Sequence, residues 1–252
     1  MMSKYTYPDY NNCAVVTIDT QNDFSLPGAV AEIAGTVYVL PHMKLILDAC
    51  RSRDIPIFHV IRLYKEDGSN VDICRRELIE TGVRIVTPGS TGADLVEMIS
   101  PKNSIQLDDK ELLQGTIQLI ADNEWVMYKP RWGAFYQTNL EAFLRVKNID
   151  TLIFIGCNFP NCPRTSIYQA SERDFKVVMI EDAISGVYDK GIHEMRNIGV
   201  KVTSTEELIR EFEADPKKAP TANNNIFTHR AYALGPAGVR SGLVSGDKNI
   251  VP

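Results

Sequence analysis

Short apolar runs rich in valine and isoleucine recur along the chain, at residues 13–18, 55–61, 125–128, 152–155, 177–180 and 200–202. Their hydrophobicity is continuous rather than alternating. Strands covered on both faces have that pattern, so the runs predict a parallel sheet. Between them, apolar positions return at helical spacing. Residues 37–53 carry Leu40, Met43, Leu45, Leu47 and Cys50, with Pro41 near the start, and residues 138–147 carry Leu140, Phe143, Leu144 and Val146. Further helices are expected at 163–174, 192–197 and 205–212, the last with a capped start in which Ser204 stands three residues before Glu207. Alternation of strand and helix predicts one doubly wound α/β domain over residues 1–213, a sheet between two helical layers.

Two stretches depart from this rhythm. Residues 62–123 hold helical pieces at 72–80, 93–99 and 112–120, with turn signals at Asp67-Gly68 and Pro88-Gly89, and read as a helical insertion capping the sheet. Residues 214–252 are rich in Pro, Asn, Ala and Gly, with Ile226, Phe227 and Tyr232 as apolar anchors. They read as an extended arm, either loose or ordered against a neighbouring subunit.

Composition narrows the functional classes. The chain has 252 residues, 44% of them hydrophobic, enough for one large core or two small ones. A formal net charge of −5 with dispersed basic residues argues against nucleic acid as a partner. No run approaches the roughly 20 apolar residues of a membrane span, and the first ten residues lack the apolar centre of a signal peptide. Five cysteines, at 13, 50, 74, 157 and 162, make an odd count and no disulfide framework, which points to a reducing cytoplasm.

Ligands of an open parallel sheet bind beyond the carboxyl ends of its strands. Three reactive side chains fall there: Asp19 after the first strand, Lys129 after the third, and Cys162 in the segment following the fourth. Pro163 suits the first turn of a helix and would put Cys162 at its N-terminus. There, free amides and the helix dipole are expected to lower the thiol pKa, and a nearby Lys129 to lower it further. A single cysteine is more often a small buried hydrophobe, a reading that suits Cys13, Cys50 and Cys157 but fits poorly with a residue after a turn.

The stretches Ile18-Asp19-Thr20-Gln21-Asn22-Asp23-Phe24, Lys129-Pro130-Arg131-Trp132-Gly133-Ala134-Phe135 and Gly156 to Cys162, in this order and spanning about residues 13–212, resemble the isochorismatase-like cysteine hydrolases. That family includes nicotinamidases, N-carbamoylsarcosine amidases, ureidoacrylate amidohydrolases and biuret hydrolases. The resemblance implies a six-stranded parallel sheet of order 3-2-1-4-5-6. It also implies a catalytic triad of Asp19, Lys129 and Cys162, a cis peptide before Asn158, an oxyanion hole from the amides of Asn158 and Cys162, and assembly as a homo-oligomer, a dimer or tetramer. Having the cysteine argues for C–N cleavage rather than vinyl-ether cleavage.

Departures from the family pattern narrow the choice. Gly133 stands where Ser is usual, and Phe159-Pro160-Asn161 fills the turn where a Thr usually precedes the cysteine. Nicotinamidases carry an Asp-x-His pair and a further His after the second strand. Here that region reads His59-Val60-Ile61-Arg62-Leu63-Tyr64-Lys65, and the four histidines lack ligand spacing, so neither a metal nor another cofactor is expected. His59 reads instead as a hydrogen-bonded core residue. Candidate pocket residues are Phe24, Arg62, Tyr64, Arg131, Trp132, Phe135, Tyr136, Asn158 and Phe159. Arg62 and Arg131 either bind a substrate carboxylate or form structural ion pairs, and the aromatics either stack a planar amide or fill the lid.

The expected substrate is a small ureide or carbamoyl compound. The alternatives are a nicotinamidase-type or other small-amide hydrolase, or a silent metabolite-binding member of the family. A phosphate-loop thiol enzyme is excluded because Tyr168 and Pro163, not Arg, stand six residues after Cys162 and Cys157. The Gly-x-Ser-x-Gly and Gly-x-Gly-x-x-Gly motifs of serine hydrolases and dinucleotide-binding enzymes are missing as well. Redox exchange between Cys157 and Cys162 is disfavoured if Cys157 is buried.

Overall fold

The computed structural model describes residues 2–102 and 104–214, so the arm expected at 214–252 lies outside the described residues apart from its first. Seven strands form one sheet in the order β3-β4-β2-β1-β5-β6-β7. They are β1 (Cys13–Ile18), β2 (Ile57–Ile61), β3 (Ile117–Ala121), β4 (Glu124–Tyr128), β5 (Thr151–Gly156), β6 (Lys176–Ile184) and β7 (Lys201–Thr203). Six of them run parallel, and without β3 their order is 3-2-1-4-5-6, as the resemblance implies. The helices are α1 (Asn22–Ser25), α2 (Thr36–Ser52), α3 (Ile73–Glu80), α4 (Asp109–Leu113), α5 (Leu140–Val146), α6 (Cys162–Ser171), α7 (Asp189–Asn197) and α8 (Thr205–Ala214).

The alternation of side chains along each strand divides the core. Ala14, Val16 and Ile18 of β1 face α5, α6 and α7, and pack with Leu140, Leu144, Ile167, Ala170 and Met195. Cys13 and Val15 face the other way, toward α2 and α8, and pack with Leu40, Met43, Ile46, Leu47, Leu208 and Phe212. All six residues of β1 are buried, which is why its run reads as unbroken hydrophobicity. His59 is a hydrogen-bonded core residue, its Nδ1 2.8 Å from Thr17 Oγ1 and its Nε2 2.6 Å from Glu124 Oε1. Among the described residues no helix is long and apolar enough to cross a membrane.

Two of the helices expected in the insertion are absent. Residues 112–120 are split: α4 ends at Leu113, Gly115 takes a φ of +92°, and the chain turns back as β3, antiparallel to β4. Gly115 ends the helix because a positive φ suits glycine best, and the residues after it extend to pair with the sheet edge. The stretch 93–99 is irregular because its backbone groups are engaged elsewhere. Asp94 O accepts from Asn22 N at 3.0 Å and Val96 N donates to Thr20 O at 3.2 Å, while Gln21 and Leu95 form an isolated antiparallel bridge. Its apolar side chains divide between two clusters, Ala93 and Leu95 in one and Val96 and Ile99 in the other, rather than lining one helical face.

The end of β5 is pinned against β1. Gly156 has a φ of +129°, and a Cβ there would lie 2.3 Å from Ile18 O and 2.5 Å from Ile18 N. Both are backbone atoms that cannot swing aside. Gly156→Ala is therefore expected to destabilise the fold by more than about 2 kcal/mol, read as a lowered denaturant midpoint. An unchanged midpoint would contradict this account of the strand junction.

Candidate active site

The ladder itself holds Asp19 and Lys129 at strand ends, and holds Cys157, where the segment leading to Cys162 begins. Asp19 N donates to Val60 O at 3.0 Å, Lys129 N to Ile61 O at 2.9 Å, and Cys157 N to Ile18 O at 2.9 Å. The chain leaves β1 at Asp19 with a φ of 54°, which turns its carboxylate beyond the sheet. Asp19 is 4% exposed and Lys129 is fully buried, and Lys129 Nζ donates to Asp19 Oδ2 at 2.9 Å and to Arg131 O at 3.3 Å. A buried ammonium requires a close countercharge, and this pair supplies it.

After β5, the Cys157–Asn158 peptide is cis and leads through a short turn to α6, which starts at Cys162 with Pro163 in its first turn. Among the described residues, neither Asn158 N nor Cys162 N donates a backbone hydrogen bond. The segment after Lys129 is tied to α6: Ala134 N donates to Ser166 Oγ at 3.0 Å, Phe135 N to Gln169 Oε1 at 2.9 Å, and Ser166 Oγ to Cys162 O at 2.7 Å. Gly133 is glycine for a local reason. A Cβ there would meet the Gln169 amide at 2.1 Å, so Gln169 occupies the room that a side chain at 133 would need.

A small recess of about 20 Å³ opens over this junction. Asp19, Cys162, Cys157, Asn158 and Asn161 form its base, and Phe24, Ile33, Arg75 and Trp132 its walls. Trp132 is 39% exposed and stands at the rim. A broader groove at the β7 edge, lined by residues including Thr6, Arg196 and Glu211, contains neither cysteine nor histidine.

The other expected pocket residues lie elsewhere. Arg62 is 1% exposed and its Nη2 is paired with Asp72 Oδ2. Tyr64 is buried, with its hydroxyl donating to Asp72 Oδ2 at 3.2 Å. Arg131 Nη1 donates to the carbonyls of Asn70 at 3.1 Å and Pro130 at 2.6 Å. Phe135 packs against Phe175, Tyr136 faces solvent, and Phe159 is fully buried edge-on to Tyr188. Arg75, Ile33 and Asn161 line the recess but do not stand out in the sequence. For Arg75 the available signal was its place in the helix expected at 72–80, within the capping insertion.

The electrostatics of the sulfur differ from the sequence-based expectation. Burial pushes the Cys162 thiol up, and the Asp19 charge adds to that, against the pull of Lys129 and Arg62, leaving it at about 11. The expected lowering fails because a helix N-terminus and one ammonium do not offset desolvation when the ammonium is already paired with Asp19. The resting sulfur is thus a neutral thiol beside a carboxylate, not a stored thiolate. Iodoacetamide is accordingly expected to modify Cys162 slowly at pH 7–8 and faster as the pH rises toward 11, with exposed Cys74 as an internal reference in peptide mass mapping. Rapid modification of Cys162 at neutral pH would contradict the raised value. Burial also pushes the Cys157 thiol well up, and its Sγ donates to Asp19 O at 3.0 Å. Among the described residues, no cluster of three or more His, Cys, Asp or Glu side chains suits a metal ion.

Comparison with known proteins accords with this architecture. Residues 13–207 match the isochorismatase domain model. The chain is 28% identical over 208 residues to an Arabidopsis thaliana protein described as a probable inactive nicotinamidase, covering 80% of this chain and 97% of the relative. It is 25% identical over 231 residues to N-carbamoylsarcosine amidase from Arthrobacter sp, covering 90% and 81%. The crystal structure of an isochorismatase family protein from Desulfovibrio vulgaris subsp. vulgaris str. Hildenborough superposes with a TM-score of 0.69 at 30% identity, covering 81% of this chain and 99% of that one. With the match extending over most of its length, this chain belongs to the isochorismatase family.

Proposed function

We propose that this protein is a cysteine-dependent amidohydrolase that cleaves a C–N bond of a small ureide or carbamoyl compound through a thioester on Cys162. The observation that carries the reading is a thiol at the base of a recess, beside a carboxyl group that a fully buried lysine holds. The resemblance to an N-carbamoylsarcosine amidase supports the carbamoyl class.

In this reading, Asp19 takes the thiol proton as Cys162 Sγ bonds to the substrate carbonyl carbon. The N–H groups of Asn158 and Cys162 donate to the oxygen that becomes negative. The C–N bond breaks, and the leaving nitrogen takes the proton from Asp19. Water then gives a proton to Asp19 and its oxygen to the thioester carbon. The C–S bond breaks and the sulfur recovers its proton. Lys129 holds the Asp19 carboxyl group in place through its hydrogen bond to Oδ2.

The test is a panel of biuret, ureidoacrylate, N-carbamoyl amino acids and nicotinamide, assayed for ammonia release. Turnover of a ureide or carbamoyl member, with a Cys162 acyl adduct in rapidly quenched samples by mass spectrometry, supports the reading. Turnover of nicotinamide alone moves the substrate class, and no turnover across the panel removes the catalytic reading.

A further inference from the structure

The cations around the recess do not balance within the protein. Lys129 is paired with Asp19, and Arg62 with Asp72. The Cys162 thiol is neutral at rest, and burial likewise holds the Tyr64 phenol in its neutral form. Arg75, on α3, lines the recess together with Cys162, and no carboxylate pairs with it among the described residues. Its one side-chain hydrogen bond there runs from Nη1 to the Tyr64 hydroxyl at 3.0 Å. That hydroxyl in turn donates to Asp72, so a relay fixes one edge of the guanidinium beside the recess. The guanidinium carbon stands 5.7 Å from the centre of the Phe24 ring, which steadies it further.

We propose that Arg75 binds an anionic group of the substrate, so that the amide turned over here carries a carboxylate. The proposal rests on the reading of Cys162 as the amide-cleaving nucleophile of the same recess, and it assigns the substrate's other end. Arg62 and Arg131, the arginines that the sequence singles out, are engaged with Asp72 and with backbone carbonyls. Arg75 is the arginine that lines the recess, and no carboxylate pairs with it among the described residues, so its guanidinium can donate to a substrate carboxylate. A neutral substrate would leave that guanidinium without an anionic partner.

The experiment compares N-carbamoylglycine with n-propylurea, an uncharged analogue of similar size, and adds N-carbamoyl-β-alanine to read the spacing between acid and amide. The wild-type protein is expected to prefer an acid. In Arg75→Met the ratio of kcat/KM for acid over neutral substrate is expected to fall about 10- to 100-fold, mainly through KM for the acid, the range for a charge-assisted hydrogen-bonded contact. Arg75→Lys, which keeps the charge but not the fork, is expected to recover part of the ratio. Equal turnover of acid and neutral substrates by wild type, or an equal loss on both in Arg75→Met, overturns the proposal.

If wild type turns over none of them, titration calorimetry still decides this proposal apart from the catalytic reading. N-carbamoylglycine or N-carbamoyl-β-alanine binding to wild type but more weakly to Arg75→Met supports an anion subsite, and no binding of either acid overturns it.

Discussion

Cys162→Ala is expected to lower ammonia release from the best substrate by about 10⁴-fold or more, to the level of the assay background, while the melting temperature moves by only about 2–4 °C. The activity loss is large because nothing at the base of the recess can replace the sulfur. Asn158 and Asn161 are not nucleophiles, and Cys157 is sealed, with its thiol donating to a backbone carbonyl and burial holding it protonated. The stability loss is small because the change removes one sulfur atom at the base of the recess and leaves Pro163 in the first turn of α6. The measurement is initial rate against thermal melt on the same preparation. A variant that keeps a tenth of wild-type activity would show that bond cleavage does not depend on this sulfur.

Asp19→Asn is expected to lose on both scales. Removing the carboxylate takes away the proposed acceptor of the thiol proton, expected to cost about 10²- to 10⁴-fold in kcat. It also leaves the Lys129 ammonium, fully buried, without its countercharge, a change expected to cost about 3–5 kcal/mol. The two losses separate in a double variant. Asp19→Asn with Lys129→Met removes both charges and is expected to regain most of the stability in a denaturant titration while remaining inactive. If the single and double variants were equally unstable, the ion pair would not be what holds this junction. If Asp19→Asn kept near wild-type kcat, the thiol proton would leave by another route.

Much of the frame could be read from residue order because each parallel strand is buried on both faces and so writes a continuous apolar run. The ends of those runs placed Asp19 and Lys129, and Pro163 placed Cys162, without any tertiary information. The insertion was less legible for physical reasons. Apolar residues in 93–99 answer to two different clusters, and in 112–120 a glycine with positive φ separates one turn of helix from an edge strand; a short apolar window cannot distinguish these from an amphipathic helix. Arg75 escaped because a charged residue on a helix ordinarily faces solvent, and only the packing of α3 over the recess brings it beside Cys162. The direction of the thiol's shift is not legible in the sequence, because residue order reveals neighbours that stabilise charge and says nothing of the water that burial removes.

The neutral resting sulfur also bears on the chemical lifespan of the protein. Peroxides and related oxidants attack thiolates, so a nucleophile that ionises only when its proton is accepted during turnover is spared between encounters with substrate. Warheads selected for hot, acidic cysteines would pass this one by. Compounds that place a carbonyl over the sulfur and recruit the neighbouring carboxylate as base are the ones that would capture it.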